Sequence, residues 1–269
     1  MKAKNKEEGI FKMRNSKELL VVDGKFVGTY WQWLKNQLSG WDRMPWILFA
    51  FIVGAQLMNF ALNQINWLSM VSLFATIAGS LCTCAMAASG TDPITGERMT
   101  SRSINGLFGA ISLIGFIIVN LAQQHYFAAF DQLVFFFLID VELLFTWRTW
   151  GRGDTADIKK LTKRGYLYTF LSMVIAWILL YFVGVVLNDQ QPIFDSLVLA
   201  MGAVASWLCF RRYSFTYKIW LLSDVAQILL FVTTIVQAGF SGTALAMTLN
   251  YVFYFATSVL GLFNWKPTK

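Results

Sequence analysis

The chain has 269 residues, 57% hydrophobic and 14% charged, with mean hydropathy +0.54 and a formal charge of +7. Soluble domains carry about 25% charged residues, whereas here polar groups gather between apolar runs close to the ~20 residues that cross a bilayer. An ordinary soluble domain is excluded, and the basic excess does not interleave with aromatics along a solvated surface, which argues against nucleic acid as a partner.

Residues 1–45 read as a polar, basic arm. It has no early apolar run, so no cleaved signal peptide is expected. Within it Thr29 to Leu38, with Tyr30, Trp31 and Trp33, reads as a short interfacial helix. The first apolar segment, 46–62, opens behind Pro45, whose missing donor is harmless at a helix start.

A turn at Asn63 to Asn66 leads to segments at 67–88, 104–121 and 127–147, which form a first three-helix bundle over 67–147. A loop of turn formers around Gly90, Pro93 and Gly96 divides the first two, and a short loop holding His125 divides the next two. The basic loop 148–165 enters a fifth segment, 166–187. Segments at 194–210, 217–238 and 242–263 make a second three-helix bundle, 194–263, before the tail 264–269. With the N-terminus in the cytoplasm, all 22 basic residues fall on the cytoplasmic side, so eight spans with both ends cytoplasmic are expected.

The two bundles read as a parallel repeat. At an offset of 118, Phe137, Val141, Leu144, Phe145 and Trp147 match Phe255, Val259, Leu262, Phe263 and Trp265. Ser69, Val71, Ala78, Leu81 and Cys82 match Ser196, Val198, Ala205, Leu208 and Cys209. The fifth segment then connects two like-oriented triplets and has little reason to touch a ligand, while the repeat interface is where some transporters hold substrate.

Asp131, Asp140, Glu142 and Asp224 fall inside predicted spans, and Asp195 at the outer mouth of the sixth. Charges at such depth are costly and normally face a bundle interior or an aqueous cavity. Asp140 and Glu142, about 200° apart, cannot both point into one narrow site. Trp220, Asp224 and Gln227 share a helix face, as do Asn250 and Tyr254. Acceptors, amides and an aromatic plate suit a flat, polar, cationic ligand; the same residues also serve as glue between helices. Trp207 and Arg211 read as an interfacial anchor or an inner gate contact, with Asp195 as a further gate candidate. Trp147 and Trp265 read as headgroup anchors.

The buried-type cysteines Cys82, Cys84 and Cys209 lack metal-site spacing, and the lone His125 lacks an evident metal shell, so no metal is expected. The absence of a Walker lysine motif and of a dinucleotide fingerprint argues for no cofactor and no enzyme or ATP-driven pump.

Pro192, Asp195 and Ser196 before a span, Arg212 and Tyr213 after it, Trp220 and Asp224 in the next, terminal Trp265, and Phe135 to Phe137 with Trp147 carry a resemblance. Over about residues 67–265 the chain resembles the PnuC family of bacterial vitamin transporters. The resemblance implies an all-α membrane protein with a three-plus-one-plus-three core similar to the SWEET sugar transporters, the first segment lying outside that core. It implies a homotrimer in the bacterial inner membrane and facilitated diffusion, by alternating access, of an unphosphorylated vitamin precursor such as nicotinamide riboside, trapped by a separate cytoplasmic kinase. Asp224 and Gln227 would bond the sugar or ring edge, Trp220 or Tyr254 would stack, and Asn250 and Asp140 would complete the site. Asp140 and Asp224 stand where the family usually has asparagine, with Gly109 at the corresponding place in the third span. That departure leaves thiamine, riboflavin or a (deoxy)nucleoside as alternative substrates. A binding protein or receptor without transport is the other class.

Overall fold

A computed structural model describes residues 20–22, 25–96, 98–99, 101–150 and 157–267. The first 19 residues of the predicted arm and 151–156 of the predicted basic loop lie outside the described residues. A short hairpin, β1 (Val21–Val22) with β2 (Lys25–Phe26), and helix α1 (Tyr30–Gln37) precede the bundle.

Among the described residues, seven helices are long and apolar enough to cross a membrane: α2 (Arg43–Leu62), α3 (Trp67–Ala87), α4 (Asn105–Ala122), α7 (Lys163–Val186), α8 (Pro192–Phe210), α9 (Thr216–Ala238) and α10 (Gly242–Asn264). Between α4 and α7 runs a further helical stretch in three parts. Helix α5 (Tyr126–Phe135) passes through a π turn, Phe136–Asp140, into α6 (Val141–Thr146). A second hairpin, β3 (Gly90–Thr91) with β4 (Arg98–Met99), lies between α3 and α4.

The helix ends follow local chemistry. Asn66 caps α3 by accepting from Ser69 N at 2.8 Å while its own N–H donates to Ser69 Oγ at 2.9 Å, a reciprocal capping box. Thr162 and Ser241 cap α7 and α10 in the same N-terminal position, and Pro192 opens α8. Gly239 ends α9 at φ 92°, a backbone state that costs glycine little.

Six helical units close into a ring, each packing on the next in the order α3, α4, α5–α6, α8, α9, α10 and back to α3. Without a hydrophobic drive in lipid, such contacts depend on small residues that let backbones approach. Gly115 meets Ala75 where α4 crosses α3, and Gly106 faces Leu143 and the Asp140 backbone. Helix α2 sits outside the ring against α3 and α10, and α7 outside it against α8. The attachment of α2 is specific, since Gln56 Nε2 donates to Ala246 O at 2.8 Å and Asn59 Nδ2 to Gly242 O at 2.9 Å.

The bundle has a basic end, where the arm, the β3–β4 hairpin and the end of α10 gather. There Phe26 N donates to Arg148 O at 2.8 Å, Trp33 Nε1 to Ser103 Oγ at 3.3 Å and Asn264 Nδ2 to Ala87 O at 2.8 Å. The two tryptophans expected as headgroup anchors are used differently. Trp147 lies among Phe26, Tyr30 and Trp33 of the arm, and Trp265 is buried edge-on against Tyr217 at 5.3 Å. The arm covers one ring, and the last turn of α10 folds the other inward. The turns at the opposite end, 63–66, 123–125, 187–191 and 239–241, carry no Lys or Arg.

Candidate functional site

All six ring units contribute residues to one cavity, a concave site between helices of the kind that holds small molecules. It lies between two apolar clusters. Toward the basic end stand Leu143, Leu208, Tyr217, Trp220 and Trp265; toward the opposite end stand Phe116, Val198, Leu230, Phe231 and Met247.

Of the residues predicted for a site, Asp140, Trp220, Asp224, Gln227 and Tyr254 line this cavity. Asp224 Oδ2 accepts from Ser258 Oγ at 2.7 Å, which fixes the carboxylate between α9 and α10. Trp220 lies 6.4 Å from Phe135 and 5.1 Å from Tyr217, so one side of the cavity is an aromatic wall. Asn250 is fully buried but outside the lining; its Oδ1 accepts from Ser80 Oγ at 3.1 Å across α3 and α10. The three gate candidates lie elsewhere. The guanidinium of Arg211 is 5.9 Å from the ring of Trp207, which is 51% exposed on the outside of the bundle.

Asp195 is fully buried, and its two oxygens accept from Phe127 N and Ala128 N, each at 2.7 Å. It thus caps α5, satisfying donors that a helix start leaves without partners. Asp195→Ala should therefore lower stability by about 1–3 kcal/mol, read as a drop in the thermal unfolding midpoint of purified protein. An unchanged midpoint would mean that the cap is dispensable.

Two further groups were not assigned to the site from sequence, Asp131 with Gln132, and Tyr251. The π turn explains why Asp131 was overlooked. In an unbroken α-helix the nine residues from Asp131 to Asp140 turn the chain to about 180° apart. One inserted residue withdraws about 100° and leaves the two roughly 80° apart, so both reach one cavity. A π turn has no clear signature in single-sequence periodicity.

Each acid also has a glycine seat. A side chain at Gly109 would collide with the Asp140 carboxylate, and one at Gly202 with that of Asp131. Among the described residues, five buried polar groups of the lining keep an atom without a hydrogen-bond partner: Asp131 Oδ1, Asp140 Oδ1, Ser206 Oγ, Gln227 Oε1 and Tyr251 OH. Desolvated atoms of this kind are costly unless something fills the space between them. Among the described residues, the lining holds three carboxylates and no Lys, Arg or His.

A bundle of apolar, membrane-length helices closed around a polar cavity is an architecture that suits a membrane transporter. The chain belongs to the family described as Nicotinamide mononucleotide transporter, which matches residues 98–267. It is thus a transporter rather than an enzyme, and the resemblance carried by Pro192 to Trp265 is borne out. The fold is similar to the crystal structure of the vitamin B3 transporter PnuC, at a TM-score of 0.70 and 24% identity, over 88% of this chain and 97% of that one. No curated protein matches the chain.

Proposed function

We propose that the chain equilibrates nicotinamide riboside, or a closely related unphosphorylated vitamin precursor, across a bacterial inner membrane by alternating access. The observation that carries this reading is the acidic lining of the cavity. Asp131, Asp140 and Asp224 face it with no basic residue among the described lining. A phosphate brings about −1.5 to −2 charges and would meet three carboxylates in a low-dielectric site without a counter-ion. A cationic pyridinium ring meets the opposite situation, with Trp220, Phe135 and Tyr254 to stack on it and the acids to neutralise it. Nicotinamide riboside thus fits better than the mononucleotide of the family's description. The same charge argument ranks thiamine, also cationic, ahead of riboflavin or a deoxynucleoside.

The tripartite run from Tyr126 to Thr146 is taken as an eighth crossing, giving a three-plus-one-plus-three core with α2 in addition. Local pairings support a parallel repeat. At the offset of 118, Asp140 corresponds to Ser258, and with Phe116 set against Phe231, Gly109 falls opposite Asp224. The pair Gly109–Asp140 in one half then mirrors Asp224–Ser258 in the other, each presenting one acid to the cavity. The halves meet along two seams, α3 with α10 and α5 with α8. Parting each seam at one end and then at the other would expose the cavity alternately, past one apolar cluster at a time. The basic end is assigned to the cytoplasm, with a separate kinase there to trap the product. The largely lipid-accessible α7 links the halves, and a homotrimer is the proposed assembly.

Purified protein in lipid vesicles should take up labelled nicotinamide riboside at least tenfold faster than empty vesicles, without ATP. Labelled thiamine, riboflavin and a deoxynucleoside, offered in turn, rank the alternatives. No flux of any of them would remove the carrier reading, and binding without equilibration would leave a receptor.

A further inference from the structure

A second polar cluster lies outside the cavity, at the end opposite the basic one. His125 in the α4–α5 turn, Asp189 in the α7–α8 turn and Asp195 in the first turn of α8 are all buried, and a ligand atom of each lies within 4.8 Å of the others. The sequence left His125 without evident metal partners; folding places two carboxylates beside it. Their remaining bonds are specific. His125 Nε2 lies 3.0 Å from Thr234 Oγ1, and Asp189 Oδ1 accepts from Gln191 N at 2.7 Å. Among the described residues that leaves His125 Nδ1 buried with no partner, and Asp189 Oδ2 with none outside the cluster, where the Asp189 and Asp195 carboxyls come within hydrogen-bond reach of each other. The Asp195 oxygens, each accepting one backbone N–H, keep lone pairs free.

We propose that His125 Nδ1, Asp189 and Asp195 bind a divalent transition-metal ion of the zinc type, which ties the two halves of the bundle together at this end. One imidazole and two carboxylates match the nitrogen and oxygen donors zinc accepts, with a fourth position for water. Zinc bonds of about 2.0–2.2 Å place ligand atoms roughly 3.4 Å apart, so closing the cluster requires shifts of about 1 Å. No Lys or Arg occupies the turns around it, and the ion would supply the missing counter-charge for the two acids. His125 and Asp195 face each other across the α5–α8 seam, and the His125 ring packs edge-on to Phe231 of the apolar cluster at this end. An occupied site would hold this seam shut; that consequence, unlike the binding itself, rests on the alternating-access reading.

The test uses full-length, tag-free protein in detergent, stripped with chelator and titrated with zinc chloride in a calorimeter. One zinc per chain at micromolar affinity or better is expected, with a raised thermal unfolding midpoint. His125→Gln and Asp189→Asn should each weaken binding at least tenfold, while Asp131→Asn in the cavity should not. X-ray absorption of the zinc-loaded parent protein, which needs no variant to fold, should show one imidazole and otherwise oxygen ligands. No saturable binding, a sulfur ligand, or variants that bind as tightly as the parent would overturn the proposal. Micromolar zinc on the outer face should slow uptake. If no substrate is transported at all, the carrier reading fails while the zinc titration still decides this site.

Discussion

Asp224→Asn is expected to weaken binding of cationic nicotinamide riboside by ten- to a hundredfold and to leave its uncharged, reduced counterpart within about twofold. The side chain is held by Ser258 and lines the cavity, so the amide fits the same space and the main change is one negative charge. A unit charge pair at about 4 Å is worth up to about 4 kcal/mol at an effective dielectric of 20. Desolvation and the two remaining acids offset part of that, which leaves the roughly 1.4–2.7 kcal/mol that the predicted range represents. Dissociation constants for both ring forms, measured on the parent and the variant, separate charge from shape. Equal losses for the two ligands would show that Asp224 acts as a hydrogen-bond acceptor or as packing.

Gly202→Ala is expected to cut uptake at least tenfold while moving the unfolding midpoint by no more than a few degrees. A methyl group there would meet the Asp131 carboxylate. What has to yield is the end of one short side chain rather than the α5–α8 backbone contact, so the acid is pushed into the cavity and the fold survives. Gly54→Ala on α2 is the matched control, since a methyl at that position meets nothing within 4 Å, and it should transport like the parent. Normal uptake by the Gly202 variant would remove Asp131 from the site. A collapsed midpoint would show instead that the glycine serves helix packing.

The helical membrane class was legible because lipid leaves the backbone few alternatives and because basic residues avoid one set of turns. Trp220, Asp224 and Gln227 could be placed together from helical phase alone, since α9 runs unbroken through that stretch. Phase failed on the stretch from Tyr126 to Thr146. There the π turn re-aims Asp140 toward Asp131, and an assumption of regular 3.6-residue turns separates the two acids. Phase also could not show that Ser80, from a helix far away in sequence, holds the Oδ1 of Asn250. The glycine seats under the two acids, the capping role of Asp195 and the carboxylates beside His125 all depend on how the ring closes, and residue spacing does not record that.

The central claim is that the cavity takes an unphosphorylated, positively charged vitamin precursor. It is tested most directly by equilibrium binding of nicotinamide riboside and of nicotinamide mononucleotide to the same purified protein at neutral pH. The three acids and the absence of basic residues in the described lining predict that the riboside binds at least tenfold more tightly. A mononucleotide that binds as tightly, or more so, would contradict the account.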